Sequence, residues 1–137
     1  MGFYWFDTKG MDKSLMNSEY KYNPEVTVIM SCYNGSKWLE ESIISVLVQS
    51  YKAFEFVLIN DGSSDDTWNI IQKYSEIDSR IVPINKINSG LADSLNFGIS
   101  IARGKWIARI DDDDLCEPNR LLEQFTRYKL VLLLKSN

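Results

Sequence analysis

Val26-Thr27-Val28-Ile29-Met30, followed at once by Ser31-Cys32-Tyr33-Asn34-Gly35, is the stretch that decides the fold. Its first five residues are β-branched or apolar with little alternation, which suits a strand covered on both faces of a parallel sheet. The next five form a turn cluster. Beyond it Ser36 can cap a helix that carries Glu40 and Glu41 near its start, and Leu39, Ile43, Val46 and Leu47 fall on one stripe.

The unit then recurs. Phe54 to Ile59 reads as a second buried strand, ended by Asn60-Asp61-Gly62, and Ser63-Ser64-Asp65-Asp66 supplies a capping box for a helix with Ile70, Ile71, Tyr74 and Ile77 on one side. Ile81-Val82-Pro83-Ile84 is a short third strand, and Pro83, which has no N–H to donate, puts it at a sheet edge. Asn88-Ser89-Gly90 opens a third helix with Leu91, Leu95, Ile99 and Ala102 inward. Lys105 to Ile110 forms a fourth strand that runs into Asp111-Asp112-Asp113-Asp114, and Glu117-Pro118 starts a last helix with Leu121, Leu122, Phe125 and Tyr128 facing the core.

Strands and helices alternating in this order specify an α/β class with a mainly parallel sheet, helices on both faces as a three-layer sandwich, and right-handed crossovers. A chain of 137 residues fits one domain, here residues 25–137, behind an N-terminal arm of residues 1–24. Ligands of such sheets bind at the carboxyl ends of the strands. Tyr33-Asn34, Asp61, Asn88-Ser89-Gly90 and the acidic run each follow a strand, so all four are expected at one sheet edge.

Charge concentrates there too. The net charge is −4, from 19 acidic and 15 basic residues, and removing the Asp111–Asp114 run leaves equal numbers of each sign. A neutral background without a basic patch argues against nucleic acid as a partner. With two cysteines and no histidine, a disulfide framework, a structural zinc site and a His-dependent triad lack their raw material, and the reducing cytoplasm is the expected compartment. No stretch approaches the roughly 20 apolar residues that span a bilayer. Cys32 and Cys116 read as small buried fillers, and Trp38, Trp68 and Trp106 as packing residues.

Like charges at adjacent positions repel, so the acidic run needs water or a cation to screen it. One reading is a solvated turn in which an Asp caps the next helix. The other is a site for a hard divalent cation with oxygen ligands. An EF-hand is excluded, because the position that must be glycine is Cys116. Magnesium usually takes one or two protein carboxylates and completes its shell with water and phosphate oxygens. A phosphorylated ligand would follow, held without a Walker loop or a G-x-G-x-x-G cradle, since neither motif is present.

Val26 to Gly35, Phe56 to Asp65, Asn88 to Ala92 with Gly98-Ile99, and Ala102 to Asp114 together resemble the successive motifs of family-two nucleotide-sugar glycosyltransferases of the GT-A fold, over roughly residues 25–129. The resemblance implies a Rossmann-like nucleotide-binding half. In it Ser31, Tyr33 and Asn34 line the nucleotide, Asp61 hydrogen-bonds the base, and Asn88 to Gly90 border the donor pocket. Asp111 and Asp113 become the Asp-x-Asp pair holding Mn2+ or Mg2+, with Asp113 the more direct metal contact and Asp111 serving the ribose. Asp112 sits between them, counted with the nucleotide-sugar residues but with a side chain expected to be solvated, while Asp114 braces the loop and Arg109 pairs with one of the acids.

By the same resemblance the reaction is an inverting, metal-assisted transfer from a UDP-sugar to a glycan or lipid-linked acceptor. The catalytic base is expected on a later segment, beyond Asn137, so the chain reads as a donor half truncated at its C-terminus. Two functions from different classes follow: a glycosyltransferase, or a non-catalytic nucleotide-sugar-binding fragment that lacks the acceptor half and the base. Peripheral association with the inner face of a membrane is compatible with either.

Overall fold

The computed structural model describes Phe6–Asp7 and residues 23–136. Its elements are β1 (Phe6–Asp7), β2 (Val26–Cys32), α1 (Ser36–Leu47), β3 (Phe54–Asp61), α2 (Thr67–Ile77), β4 (Ile81–Lys86), α3 (Leu91–Ile101), β5 (Trp106–Arg109) and α4 (Arg120–Lys135). The sheet runs β1-β5-β2-β3-β4. The four longer strands are parallel, and β1 adds to β5 antiparallel, with Phe6 opposite Ile107. Thus two residues of the expected N-terminal arm join the sheet; the rest of residues 1–22 lies outside the described residues. Asn137, the end of the expected domain and the point beyond which the catalytic base is expected, also lies outside them.

Every residue of β3 is buried, and its apolar run Phe56 to Ile59 suits a strand covered on both faces. On one face Val28, Met30, Phe56, Leu58, Trp106 and Ala108 pack with Leu39 and Ile43 of α1, Ile71 of α2 and Leu121 and Phe125 of α4. On the other, Ile29, Val57, Ile59 and Ile107 meet Leu95 and Ile99 of α3. This is the three-layer arrangement expected, with β4 and its Pro83 at the edge. A buried charge lies in its interior. Glu55, 1% exposed, accepts hydrogen bonds from the Thr27 hydroxyl (2.7 Å), the Arg103 amide (2.6 Å) and Arg103 Nε (2.7 Å), the pairing that a carboxylate removed from water needs.

Several details differ from the sequence expectations. The strands extend further: β2 through Cys32, β3 through Asp61 and β4 through Lys86. Ile77 and Leu122 are exposed, because their helices present only a narrow stripe to the sheet. Leu91 is also exposed, and the inner line of α3 is instead Ser94 and Gly98. Small residues there let the helix axis approach: a Cβ on Gly98 would sit 2.8 Å from an Ile29 methyl and 3.1 Å from Ile59 Cδ1. Ser36 does not cap α1, since it is already its first helical residue. Among the described residues no helix is long and apolar enough to cross a membrane.

Gly104 packs directly against the backbone of β2. Its amide donates to Thr27 Oγ1 (2.9 Å), and a Cβ there would lie 2.6 Å from the Val26 carbonyl carbon. Because the obstacle is strand backbone, Gly104→Ala is expected to cost about 1–3 kcal/mol in urea unfolding. Gly98→Ala, which meets only movable methyl groups, should cost less; equal losses would show that the strand contact is not the limiting one.

Candidate functional site

The parallel register brings the strand ends together. From β2 the chain winds to one side through β3 and β4, then returns to the other side at β5, so the crevice at the end of β2 is the switch point at which α/β sheets bind ligands. A cavity of about 410 Å³ opens there, lined by Ser31, Tyr33, Asp61, Asn88, Gly90, Leu91 and Asp112. All but Leu91 are site residues singled out from the sequence.

Asp61 lies at the cavity's floor, 3% exposed. Its Oδ1 accepts from Lys86 Nζ (2.6 Å) and the Ser89 amide (2.9 Å), and its Oδ2 from the Gly90 amide (3.0 Å). Burial pushes the carboxyl up, and the Lys86 ammonium with the two amides outweighs it, holding the group below the ordinary carboxylate value. Asn88 ties the same corner from the other side, donating through Nδ2 to the Asp61 carbonyl (2.9 Å). The crossing is close: Gly62 takes φ +72°, and a Cβ on it would meet the Asn88 amide nitrogen at 2.6 Å. Glycine is required on both counts.

Asn34 is in the left-handed region at φ 49° and does not line the cavity. It locks two loops together instead, its amide donating to Ser63 Oγ (2.9 Å) and its Oδ1 accepting from the Ser64 amide (2.8 Å). Asp65 completes the lock. Its Oδ2 accepts from the Ser36 amide (3.1 Å) and its Oδ1 from the Thr67 amide (3.0 Å) and hydroxyl (2.6 Å), so one carboxylate satisfies the N-termini of both α1 and α2. The expected cap Ser36 is thus displaced, while within the expected capping box Ser63 to Asp66 it is Asp65 that serves both helices. Desolvation pushes Asp65 up, and the donors of Thr67 and Ser36 together pull it further down, to about 2.

The acidic run is divided by its surroundings. Asp111 is paired with Arg109, whose Nη2 (2.9 Å) and Nε (3.2 Å) both donate to Oδ1. Asp112, expected to be solvated, is half-buried on the cavity wall against Gly35, and its carbonyl accepts from the Ser42 hydroxyl (2.8 Å). Burial first and the charge of Asp113 next raise its pKa, against the pull of the Tyr33 amide. Asp113 is exposed. Among the described residues no three His, Cys, Asp or Glu side chains are grouped to hold a metal by themselves. The carboxylates of Asp113 and Asp111 are hard oxygen ligands, of the type that fits a divalent cation sharing its shell with a phosphorylated ligand. The thiols are inert: burial raises Cys32 well above its ordinary value and pushes Cys116 up to about 12.

Lys86 and Asp65 were not singled out from the sequence as site residues. For Lys86 the signal was the third strand's length: continued two residues past Ile84, its register sets Lys86 beside Asp61.

A doubly wound sheet with a polar cavity and an acidic strand end at its switch point defines an α/β protein whose ligand crevice lies at the carboxyl ends of its strands. Residues 27–129 match Glycosyl transferase family 2, and the chain belongs to that family. An uncharacterized glycosyltransferase of Haemophilus influenzae is 42% identical over 97 residues, 70% of this chain and 30% of that protein. A mannosyltransferase from Pyrobaculum calidifontis, solved with GDP-Man and Mn2+, superposes with a TM-score of 0.63 at 27% identity, over 69% of this chain and 29% of its own. TarS residues 1–349 from S. aureus, in complex with UDP-GlcNAc, gives 0.66 at 26% identity, over 76% and 30%. The chain therefore spans about a third of the length of these relatives.

Asp65 provides a test of the loop lock. A carboxylate whose folded value lies below its ordinary 3.8 contributes stability above that value and loses it as pH falls toward about 2. Asp65→Asn should lower the melting temperature near neutrality and flatten the decline between about pH 4 and pH 2; parallel acid profiles of the two proteins would remove Asp65 from this role.

Proposed function

We propose that this chain forms the nucleotide-sugar-binding part of an inverting glycosyltransferase whose donor is a uridine diphosphate sugar. The observation that carries the reading is the cavity at the strand ends, where a buried, ionised Asp61 faces the same space as Ser31, Tyr33 and Asn88, beside the acidic run of the neighbouring strand. A base inserted there donates to Asp61, and Tyr33, 57% exposed, offers a ring against which the base can lie. Asn88 and Gly90 border the sugar and diphosphate.

Asp113 and Asp111 would hold Mn2+ or Mg2+, which neutralises the charge of a departing diphosphate. Arg109 holds Asp111 through Oδ1. The complexes of the relatives with GDP-Man and Mn2+ and with UDP-GlcNAc support this reading. The acceptor would be a glycan or a lipid-linked sugar in polysaccharide synthesis, met in the cytoplasm or at the inner face of a membrane, and the base would come from a segment beyond Asn137. A second reading is that these residues bind the donor without transferring it, since none of the side chains lining the cavity is assigned as the catalytic base.

Calorimetric titration with UDP in the presence and absence of Mn2+ tests the site. Binding should require the metal, and Asp113→Ala should weaken it at least about tenfold, the loss of one charge-assisted contact. Affinity that is independent of Mn2+ and of Asp113 would overturn the assignment. Sugar release from labelled UDP-GlcNAc, with tight UDP binding in hand, separates the enzyme from the binding fragment.

A further inference from the structure

The Asp114 amide donates to the Asp111 carbonyl (3.1 Å) and closes the acidic run into a turn, with Asp112 and Asp113 as its two central residues. The peptide between them can take two orientations. Type I and type II turns share the closing hydrogen bond and differ by a flip of this central peptide, which makes φ of the third residue negative in the first and positive in the second. Asp113 is that third residue, and its φ is not positive. A flip would swing the Asp113 side chain relative to Asp111, whose own carboxylate is held by Arg109 outside the flipping unit.

What fixes the orientation comes from a helix far earlier in the chain. The Ser42 hydroxyl of α1 donates to the Asp112 carbonyl (2.8 Å), which is the oxygen of the central peptide. Ser42 is 1% exposed, and with Ser45 and Gln49, the last just past the helix, it forms a line at i, i+3 and i+7 beside the apolar stripe of Leu39, Ile43 and Val46. The same line holds the chain on its way to α4. Ser45 Oγ accepts from the Cys116 amide (3.0 Å), Gln49 Nε2 donates to the Glu117 carbonyl (2.7 Å), and Gln49 Oε1 accepts from the Leu121 amide (3.1 Å). Apolar residues would bury this side of α1 without desolvating a polar group, so the line is explained by the backbone groups of the irregular segment that it satisfies. Ser45 and Gln49 serve the stretch that follows the acidic turn. Ser42 serves the one peptide whose orientation sets the direction of Asp113.

We propose that Ser42 is a positioning residue for the metal and diphosphate: its hydroxyl locks the central peptide of the acidic turn, so that Asp113 already points in a fixed direction beside Asp111 before a ligand arrives. The inference rests on the nucleotide reading given above and adds to it a residue that does not line the cavity. A turn fixed in advance spares the ligand the cost of ordering it. Without the hydroxyl the turn samples both orientations, and apparent affinity falls with the fraction of molecules in which Asp113 is misdirected.

Titration of the full chain with UDP plus Mn2+ and, separately, with uridine tests this, because uridine occupies the Asp61 end of the cavity and has no diphosphate to reach the acidic turn. In Ser42→Ala, UDP with Mn2+ should weaken by about three- to tenfold, the scale of one hydrogen bond, while uridine stays within about twofold. Ser45→Ala, which loosens the same segment beyond the turn, is the control and should weaken UDP less than Ser42→Ala does. Should the alanine variant at position 42 fail to fold, Ser42→Cys keeps nearly the same shape with a thiol that donates only weakly, and the same split between UDP and uridine is expected. Unchanged UDP affinity in the folded variant overturns the inference and leaves the nucleotide site standing. So does an equal loss for UDP and uridine, or for Ser42→Ala and Ser45→Ala, either of which would mark the line on α1 as general support for the fold. An unmodified chain that binds no UDP, or binds it without need of Mn2+, overturns both readings.

Discussion

The parallel pairing of β2 with β3 is the constraint from which the rest of this structure follows. Seven consecutive residue pairs, from Val26 beside Phe54 to Cys32 beside Asn60, align the two strands so that both end on the same side of the sheet. A parallel ladder buries both faces, which demands helices above and below, and those helices must start where the strands finish. Their exposed N-terminal amides, the loops that lead into them and the polar residues those loops carry are thereby gathered along one edge. The cavity is a consequence of that geometry.

Two carboxylates turn the gathered loops into a defined site. Asp65 binds the amides that open α1 and α2, and Asp61 binds those that precede α3. Both accept backbone N–H groups that would otherwise lack partners, and both are held ionised by doing so. The difference is what remains. Asp65 faces the loop lock, while Asp61 lines the cavity with the Lys86 ammonium beside it.

The acidic run that carries the net charge is used unevenly. Asp111 is balanced by Arg109, Asp112 is drawn into the wall of the cavity, and Asp113 projects into solvent. Four adjacent carboxylates can coexist because the turn after β5 aims them in different directions, with Asp112 carrying the desolvation in a raised pKa. Among the described residues the run is therefore not a cage for a cation by itself.

Much of this was legible in the residues. The unalternating strands, the turn clusters after them and the helical stripes determined an α/β sheet, and the position of Asp61, Asn88 and Asp111 to Asp114 after successive strands determined that they would share an edge. What the sequence left open was decided by contacts between segments far apart in it. Lys86 fell beyond the strand as read, because a polar residue at a strand end carries no periodicity. Ser36 looked like a cap and was displaced by Asp65, because the nearest carboxylate in space came from the loop of the neighbouring strand. Leu91 looked buried and is not, because α3 approaches the sheet along Ser94 and Gly98, where small residues allow it closer. Local pattern determines which elements form and which way they face; which side chain satisfies a given amide or neutralises a given charge depends on register and on helix approach, and those are set only when the sheet is assembled.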